Sequence, residues 1–170
     1  MIQEKIVVSD TNIFLDLISV NLLDSFFLLP CDICTTDFVI NEIIQPLQIQ
    51  AIDKFIKSKK LEVVSFDFSE LSAINGIFTR NNNNASMTDC SVWYYAKENN
   101  GRLLTGDGKL RKSAVADNVK VSGILYIFDN LIEYGILEKT KAADFLEQLT
   151  QINMRLPKTE CENRIKLWRA

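Results

Sequence analysis

The chain has 170 residues, enough for one domain with a sizeable core, and its formal net charge is −3. This mildly acidic balance argues against a histone-like basic binder, whose affinity for DNA rests on many Lys and Arg contacts to phosphates. The sequence contains no histidine, which excludes Ser-His-Asp and Cys-His catalysis and every His-ligated metal site.

The sequence carries no sign of secretion or of a membrane span. Its N-terminal residues lack the basic-then-apolar pattern of a signal peptide. The longest apolar region, residues 13–29, is interrupted by Asp16, Asn21 and Asp24, so it is not expected to cross a membrane. We therefore expect a soluble, cytoplasmic protein with no membrane partner.

Short apolar segments alternate along the chain with longer segments of helical periodicity. The predicted strands are Ile6–Ser9, Ile33–Thr35, Leu61–Ser65, Arg102–Thr105 and Lys120–Ser122. The predicted helices are Asn12–Val20, Leu22–Leu29, Asp37–Ile44, Leu47–Lys57 (opened by Pro46), Ser69–Arg80, Thr88–Asn99, Lys109–Ala116, Gly123–Tyr134, Ala142–Asn153 and Lys158–Trp168. This alternation predicts an α/β fold with a mostly parallel sheet covered on both faces, whose ligands bind at the carboxyl ends of the strands.

Three further segments have a simple structural interpretation. The run Asn81–Asn84 is expected to form an exposed, mobile loop. The apolar residues of the last two helices recur at helical spacing, which favours a cover for the core over a partner site. Cys31 and Cys34 form a C-x-x-C, which can indicate redox or zinc chemistry. Because no second cysteine pair accompanies them, buried structural thiols are the favoured interpretation.

Two carboxylates follow predicted strands directly. Asp10 comes after the first strand and Asp107 after the fourth. Each could serve only as the N-cap of the helix that follows it. However, the carboxyl ends of parallel strands share one edge of the sheet, so we expect the two carboxylates to converge there.

Two more carboxylates lie on predicted helices. Asp89 shares the apolar, sheet-facing stripe of its helix with Val92 at i+3, although it could also form a capping box with Ser86. Glu42 shares a helix face with Phe38 and is predicted to point partly inward, although it could be an ordinary solvated residue.

Carboxylates gathered at one sheet edge cannot all stay ionised without a counter-charge. No histidine is available, and Lys and Arg are absent from the immediate flanks of Asp10 and Asp89. A hard divalent cation, which prefers oxygen ligands, is the natural partner. The sequence therefore predicts a Mg²⁺ or Mn²⁺ site with the candidate catalytic and metal-ligating residues Asp10, Glu42, Asp89 and Asp107.

Five other residues could serve the same site. Asn12 and Thr105 are expected to support the carboxylates through hydrogen bonds, or else simply to occupy a helix start and a strand end. Lys109, Arg111 and Lys112 follow Asp107 and could contact a substrate backbone, or else form a solvated helix face.

These motifs together resemble the PIN-domain family of metal-dependent nucleases. The matching segments are "VVSDTNIFLD", "VINEI" and "MTDCSVWYYAKENNGRLLTGDGKLR", which carry the order Asp, Glu, Asp, Asp. The later segments "GILYIFDNLIEYGIL" and "NMRLPKTE" are similar to PIN proteins of the VapC-like bacterial toxin type. The resemblance implies a three-layer α/β/α sandwich around a parallel sheet of about five strands. It also implies a single PIN-like nuclease domain over residues 1–170, with residues 139–170 as a C-terminal helical extension.

The activity that the resemblance implies is hydrolysis of RNA phosphodiester bonds by water, assisted by Mg²⁺ or Mn²⁺. The implied partners are an RNA substrate and, for the toxin type, an antitoxin protein, and a homodimer is also consistent with the family. A non-catalytic PIN-like RNA-binding or scaffold module is the alternative. A phosphotransfer enzyme with Asp10 as nucleophile is a third reading, but Asn12 and Phe14 stand where the D-x-D-x-T pattern of haloacid dehalogenase-like phosphatases needs Asp and Thr.

Overall fold

A five-stranded parallel sheet forms the centre of the molecule. The computed structural model describes residues 4–82 and 84–170. Its strands are β1 (Lys5–Val8), β2 (Asp32–Thr36), β3 (Leu61–Val64), β4 (Arg102–Leu104) and β5 (Lys120–Ser122). Their order across the sheet is β3-β2-β1-β4-β5, and every neighbouring pair is parallel. The predicted strands and the parallel sheet are confirmed.

Helices connect the strands and cover both faces of the sheet. They are α1 (Thr11–Ser19), α2 (Leu23–Phe26), α3 (Asp37–Asn41), α4 (Pro46–Lys57), α5 (Phe68–Arg80), α6 (Met87–Glu98), α7 (Gly108–Ala116), α8 (Ile124–Glu133), α9 (Lys139–Ile152) and α10 (Lys158–Arg169). Every predicted helix is present, and three of them differ from the prediction by three residues at one end, the others by a single residue at one or both ends.

These differences have local causes. The second helix, predicted to reach Leu29, ends at Phe26, because the following amides bond three residues back in tight turns before Pro30. Helix α3 stops at Asn41 instead of Ile44, and Gln45 is already extended, as expected for the residue before Pro46. Helix α9 begins one turn earlier than predicted, because its first turn is polar and lacks the apolar periodicity used to find it.

Two apolar cores lie on opposite faces of the sheet. Ile6 and Val8 of β1 contribute to the first core, and Val7, between them, contributes to the second, as the alternation of side chains along a strand requires. The first core is completed mainly by α1, α2, α4, α8, α9 and α10, and the second by α5, α6 and α7. This arrangement of helix layer, sheet and helix layer is the expected three-layer α/β/α sandwich, and the fold prediction is confirmed.

The C-terminal helices α9 and α10 pack onto the first core. Leu146 and Leu149 of α9 are fully buried, and Trp168 of α10 stacks on Phe128 of α8 with ring centroids 6.1 Å apart. A bidentate ion pair between Arg164 and Asp129 also ties α10 to α8. The apolar spacing of these helices therefore serves to cover the core, as predicted.

All four cysteines are free thiols. Cys34 is fully buried and Cys31 is partly buried, and this burial raises the pKa of both thiols to about 12. Cys34 Sγ donates to the backbone oxygen of Ile6 at 3.4 Å, and no three acidic or cysteine side chains within residues 4–82 and 84–170 are grouped closely enough to hold a metal ion. The interpretation of this pair as structural thiols is therefore supported.

Two other sequence expectations concern the surface. Within the asparagine run, Asn82 and Asn84 are exposed, whereas Asn83 lies outside the described residues. Across residues 4–82 and 84–170, we find no helix with the length and apolar character that crossing a membrane would require.

Candidate active site

The topology of the sheet defines one edge where a ligand would bind. The chain proceeds from the central strand β1 to β2 and β3 on one side, and then to β4 and β5 on the other. The carboxyl ends of β1 and β4 therefore form the topological switch point at which open α/β sheets bind their ligands. Asp10 follows β1 and Asp107 follows β4, so both carboxylates lie at this point.

Asp10 is the N-cap of α1. One of its oxygens, Oδ1, accepts hydrogen bonds from the backbone N–H groups of Asn12 at 2.6 Å and Ile13 at 3.3 Å. Burial is the main cause that raises the pKa of Asp10, and the charges of Asp89 and Asp16 raise it further, against the opposing effect of the two backbone bonds. Asp10 thus carries a partly desolvated negative charge that neighbouring carboxylates repel, which is an environment that a cation would stabilise.

Asp107 caps α7 in the same manner. Its Oδ1 accepts hydrogen bonds from the backbone N–H groups of Lys109 at 2.7 Å and Leu110 at 2.8 Å. The backbone N–H of Asp107 donates to Oγ1 of the buried Thr105 at 3.0 Å. Thr105 therefore holds the main chain that presents Asp107, and the carboxylate itself is exposed.

Asp89 combines the two roles that the sequence left open. Its Oδ2 accepts from the backbone N–H of Ser86 at 2.9 Å, and its own N–H donates to Ser86 Oγ at 3.0 Å, which is a capping box at the start of α6. Val92, one turn later, is fully buried, and Asp89 itself is half-buried. The carboxylate is also near enough to Asp10 for its charge to raise the pKa of Asp10.

Glu42 does not point inward, and that prediction is wrong. Helix α3 ends at Asn41, so Glu42 is only its C-cap and its side chain is exposed. The backbone of Glu42 keeps helical dihedrals, but its side chain lies at the surface. Glu42 Oε1 accepts a hydrogen bond from Thr88 Oγ1 at 2.8 Å, which places it beside the first turn of α6, next to Asp89.

The structure brings some of the candidate residues together but not all of them. Asp10 and Asp107 line one cleft of about 1190 Å³, whereas Asp89 and Glu42 lie outside its lining. Within residues 4–82 and 84–170, no three acidic or cysteine side chains are grouped closely enough to hold a metal ion. The pairs that the structure supports are therefore Asp10 with Asp107, through the cleft, and Asp10 with Asp89, through their charges.

The other candidate residues differ in whether they line the cleft. Asn12 lines the cleft, but it supports Asp10 through its backbone N–H rather than its side-chain amide, because it sits in the first turn of α1. Arg111 also lines the cleft, and its Nη2 donates to the backbone oxygen of Thr105 at 3.2 Å. Lys109 and Lys112 are exposed on α7 and lie outside the lining.

Sequence reasoning missed several residues that line the cleft. Asp16 lines it, and burial raises the pKa of this carboxyl, although a hydrogen bond from Asn153 Nδ2 to Asp16 Oδ2 at 2.8 Å opposes the rise. Asp16 lies four residues after Asn12 and so shares its helix face, a signal that could have identified it. Asn153 and Arg155 belong to the turn between α9 and α10, and the sequence offers no signal that places this turn at the cleft.

The donor chemistry of this edge fits a hard divalent cation. Within the described part of the chain, Asp10 Oδ2, Asp89 Oδ1 and Asp107 Oδ2 have no hydrogen-bond partner, so one oxygen of each carboxylate is available. The buried hydroxyl of Ser9, directly before Asp10, also has no partner among these residues. Oxygen donors with uncompensated negative charge are the ligands that Mg²⁺ and Mn²⁺ prefer.

The three-layer α/β/α domain with carboxylates at its switch point agrees with the nuclease-type fold that the following family match indicates. A family model described as a PIN domain matches residues 6–170. The chain therefore belongs to the PIN-domain family, and the resemblance seen in its sequence is confirmed. PIN domains are commonly nucleases and generally use divalent metals. None of the curated proteins compared with the chain matches it.

Proposed function

We propose that this protein is a metal-dependent ribonuclease that hydrolyses phosphodiester bonds in RNA. The observation that carries the proposal is the position of Asp10 and Asp107 in one cleft at the switch point, with the Asp89 charge acting on Asp10. Membership of the PIN-domain family supports the nuclease class.

The chain's own residues prepare this edge for a cation. Asp10, Asp89 and Asp107 would hold Mg²⁺ or Mn²⁺, and Glu42 would complete the acidic set from beside Asp89. When bound, the cation would offset the charge that develops on the phosphate and ease deprotonation of the attacking water. Backbone N–H groups fix one oxygen each of Asp10 and Asp107, which orients the other oxygen without further side-chain support.

A substrate phosphate also needs positive charge from the protein, because the cleft is lined mainly by acidic ionisable groups. Arg111 supplies such a charge beside Asp107. Its bond to the Thr105 backbone oxygen restrains the guanidinium, so less side-chain entropy is lost when it binds a phosphate. Lys109 and Lys112 would contribute only long-range attraction from the rim.

The alternative is a PIN-like module that binds RNA without cleaving it. One observation favours it, namely that no three acidic side chains in the described part of the chain are grouped as metal ligands would be. Binding without cleavage would follow if the carboxylates do not close around a cation.

Cleavage of RNA by the purified protein tests the proposal. A labelled RNA should be cut with Mg²⁺ or Mn²⁺ and left intact with EDTA. Asp10→Asn and Asp89→Asn should each lower the cleavage rate at least about a hundredfold, the scale on which displaced metal ligands or their supports reduce activity. Asp24→Asn, which removes an exposed carboxylate paired with Lys54 outside the cleft lining, is the matched control. Undiminished cleavage in EDTA would refute metal dependence, and metal-independent binding without cleavage would favour the non-catalytic module.

The role as the toxin of a toxin–antitoxin pair is a separate part of the proposal. It is supported by the similarity of residues 123–137 and 153–160 to VapC-like proteins. Expression should arrest cell growth, and the product of a neighbouring gene should relieve the arrest by binding the protein. We further propose that residues 1–170 act as one domain, that residues 139–170 belong to it, and that the protein acts in the cytoplasm.

A further inference from the structure

We propose that the turn between α9 and α10, residues 153–157, forms the second wall of the RNA path, and that Arg155 binds a backbone phosphate there. The inference rests on the proposed ribonuclease function and extends it to a substrate-binding site outside the acidic edge. It also gives the C-terminal helices a role at the site.

The turn lines the same cleft as the acidic edge. Asp10 and Asp107 line it from the start of α1 and the loop after β4, and Asn153 and Arg155 line it from the turn, which a hydrogen bond from Asn153 ties to Asp16 of α1. A strand of RNA bound along the cleft at Asp10 would therefore also meet the turn. The cleft of about 1190 Å³ exceeds the upper end of drug-sized pockets, which is about 1,000 Å³, so it has room for more than a single small ligand.

The charge of Arg155 is available to a ligand. Arg164 is engaged by Asp129, and Arg169 by Asp144 and Glu147. By contrast, the Arg155 guanidinium has no ion-pair or hydrogen-bond partner within residues 4–82 and 84–170, and the residue is exposed. Of the three arginines in α9, α10 and the turn between them, Arg155 therefore has a charge that no ion pair of the described residues engages.

The backbone of the turn is held in place. Asn153 Oδ1 accepts a hydrogen bond from the Arg155 N–H at 3.0 Å, and Asn153 Nδ2 donates to Asp16 of α1 at 2.8 Å. Pro157 fixes the entry to α10, whose far end is anchored by Trp168 in the core. A positioned backbone lets Arg155 bind a phosphate with a smaller loss of conformational entropy than a free loop would incur.

The electrostatics of the cleft explain why an arginine is needed on this wall. Asp16 and Glu160 also line the cleft with no ion-pair partner in the described part of the chain, whereas Asp129 there is paired with Arg164, so uncompensated carboxylates extend beyond the proposed cation site. A polyanion would be repelled there unless fixed positive charge compensates. An arginine suits this role because its planar guanidinium can bind a phosphate through two parallel hydrogen bonds. Together with Arg111, which lines the same cleft, Arg155 would bind the RNA backbone at two points.

The test compares Arg155→Gln, Arg155→Lys and the control Lys166→Ala. Lys166 is an exposed cation on α10 outside the cleft lining, so its removal changes the net charge equally. Binding of a fluorescent single-stranded oligoribonucleotide is measured by anisotropy at several salt concentrations in the Asp10→Asn background with Mg²⁺. Cleavage kinetics are measured in the background that retains Asp10.

We expect Arg155→Gln to weaken binding about tenfold, the scale of one hydrogen-bonded charged contact, and to reduce the salt slope by about 0.7. KM should rise by a similar factor while kcat changes little, because Arg155 is not among the residues proposed to hold the cation. Arg155→Lys should keep the salt slope and lose part of the affinity, since lysine retains the charge but cannot form bidentate hydrogen bonds to a phosphate. Lys166→Ala should bind and cleave RNA like the protein without the substitution, here called the parent protein. Thermal melts should show that all three variants fold.

The outcomes separate this inference from the proposed function. If the parent protein cleaves RNA and Arg155→Gln behaves like Lys166→Ala, the inference is refuted and the ribonuclease proposal stands. If the parent binds RNA without cleaving it and Arg155→Gln still weakens binding with a shallower salt slope, the phosphate site is supported and the ribonuclease proposal fails. If the parent does not bind the oligoribonucleotide at all, the inference is refuted.

Discussion

Replacement of Asp10 by asparagine separates its structural role from its proposed role as a metal ligand. Asparagine is as good an N-cap as aspartate, so its side-chain oxygen can still accept from the backbone N–H groups of Asn12 and Ile13. What the variant loses is a negative charge that is partly desolvated and repelled by Asp89 and Asp16. Asp10→Asn should therefore be more stable than the unmodified protein in EDTA.

The magnitudes follow from two known effects. Asp10→Ala, which removes the cap as well as the charge, should lose about 1 kcal/mol of cap stabilisation, or about 2–4 °C in Tm for a domain of this size. Mn²⁺ at a hundredfold excess over its Kd should stabilise the unmodified protein by about 2.7 kcal/mol, equivalent to about 5–11 °C. Asp10→Asn should gain much less from Mn²⁺, because a charged ligand is missing.

Thermal melts of the unmodified protein, Asp10→Asn and Asp10→Ala, each with EDTA and with Mn²⁺, provide the measurement. Asp24→Asn, which removes an exposed carboxylate elsewhere, controls for the change in net charge. The reasoning would be refuted if Asp10→Asn melted below the unmodified protein in EDTA while Mn²⁺ raised the Tm of both by the same amount. Asp10 would then be a structural cap and not a metal ligand.

Two further predictions concern the stability of the fold. Burial alone would raise the pKa of Glu4, but hydrogen bonds from Tyr126 and Arg102 outweigh it and hold the pKa of this carboxyl below its usual value. A lowered folded pKa stabilises the protein above the unfolded value, about 4.3, and this contribution is lost as the pH falls through the folded pKa. Glu4→Gln should therefore lower the free energy of unfolding by about 1 kcal/mol at pH 7, with a difference that disappears in acid, as urea titrations at several pH values would show. Trp168→Ala should cost about 3 kcal/mol or more, because this nearly buried ring stacks on Phe128 and its removal leaves a cavity in the first core, and the loss should appear in a single cooperative transition.

Each of these predictions has an outcome that contradicts it. A difference between Glu4→Gln and the unmodified protein that stayed constant from pH 7 into acid would show that the carboxylate charge is not responsible. A separate early transition in Trp168→Ala, with the rest of the protein melting as before, would show that the C-terminal helices form an independent unit.

Much of the architecture is encoded locally in the sequence. The alternation of short apolar segments with helical periodicity identified every strand and helix, because side-chain burial repeats with a period of two or 3.6 residues. The sequence also placed Asp10 and Asp107 directly after strands. Because parallel strands end at a common edge, it predicted that both carboxylates lie at that edge. The capping box of Ser86 and Asp89 was also visible, because it depends on a spacing of three residues.

Only the tertiary structure determined which candidate carboxylates lie together and which distant turn lies beside them. Glu42 is exposed at the C-cap of α3, whose end periodicity does not resolve. The wall formed by Asn153 and Arg155 depends on a contact to Asp16 across 137 residues of chain, and the packing of α9 and α10 on the first core sets that contact. Local sequence patterns determine which face of a helix is buried, but they carry no information on which distant turn will come to lie beside it.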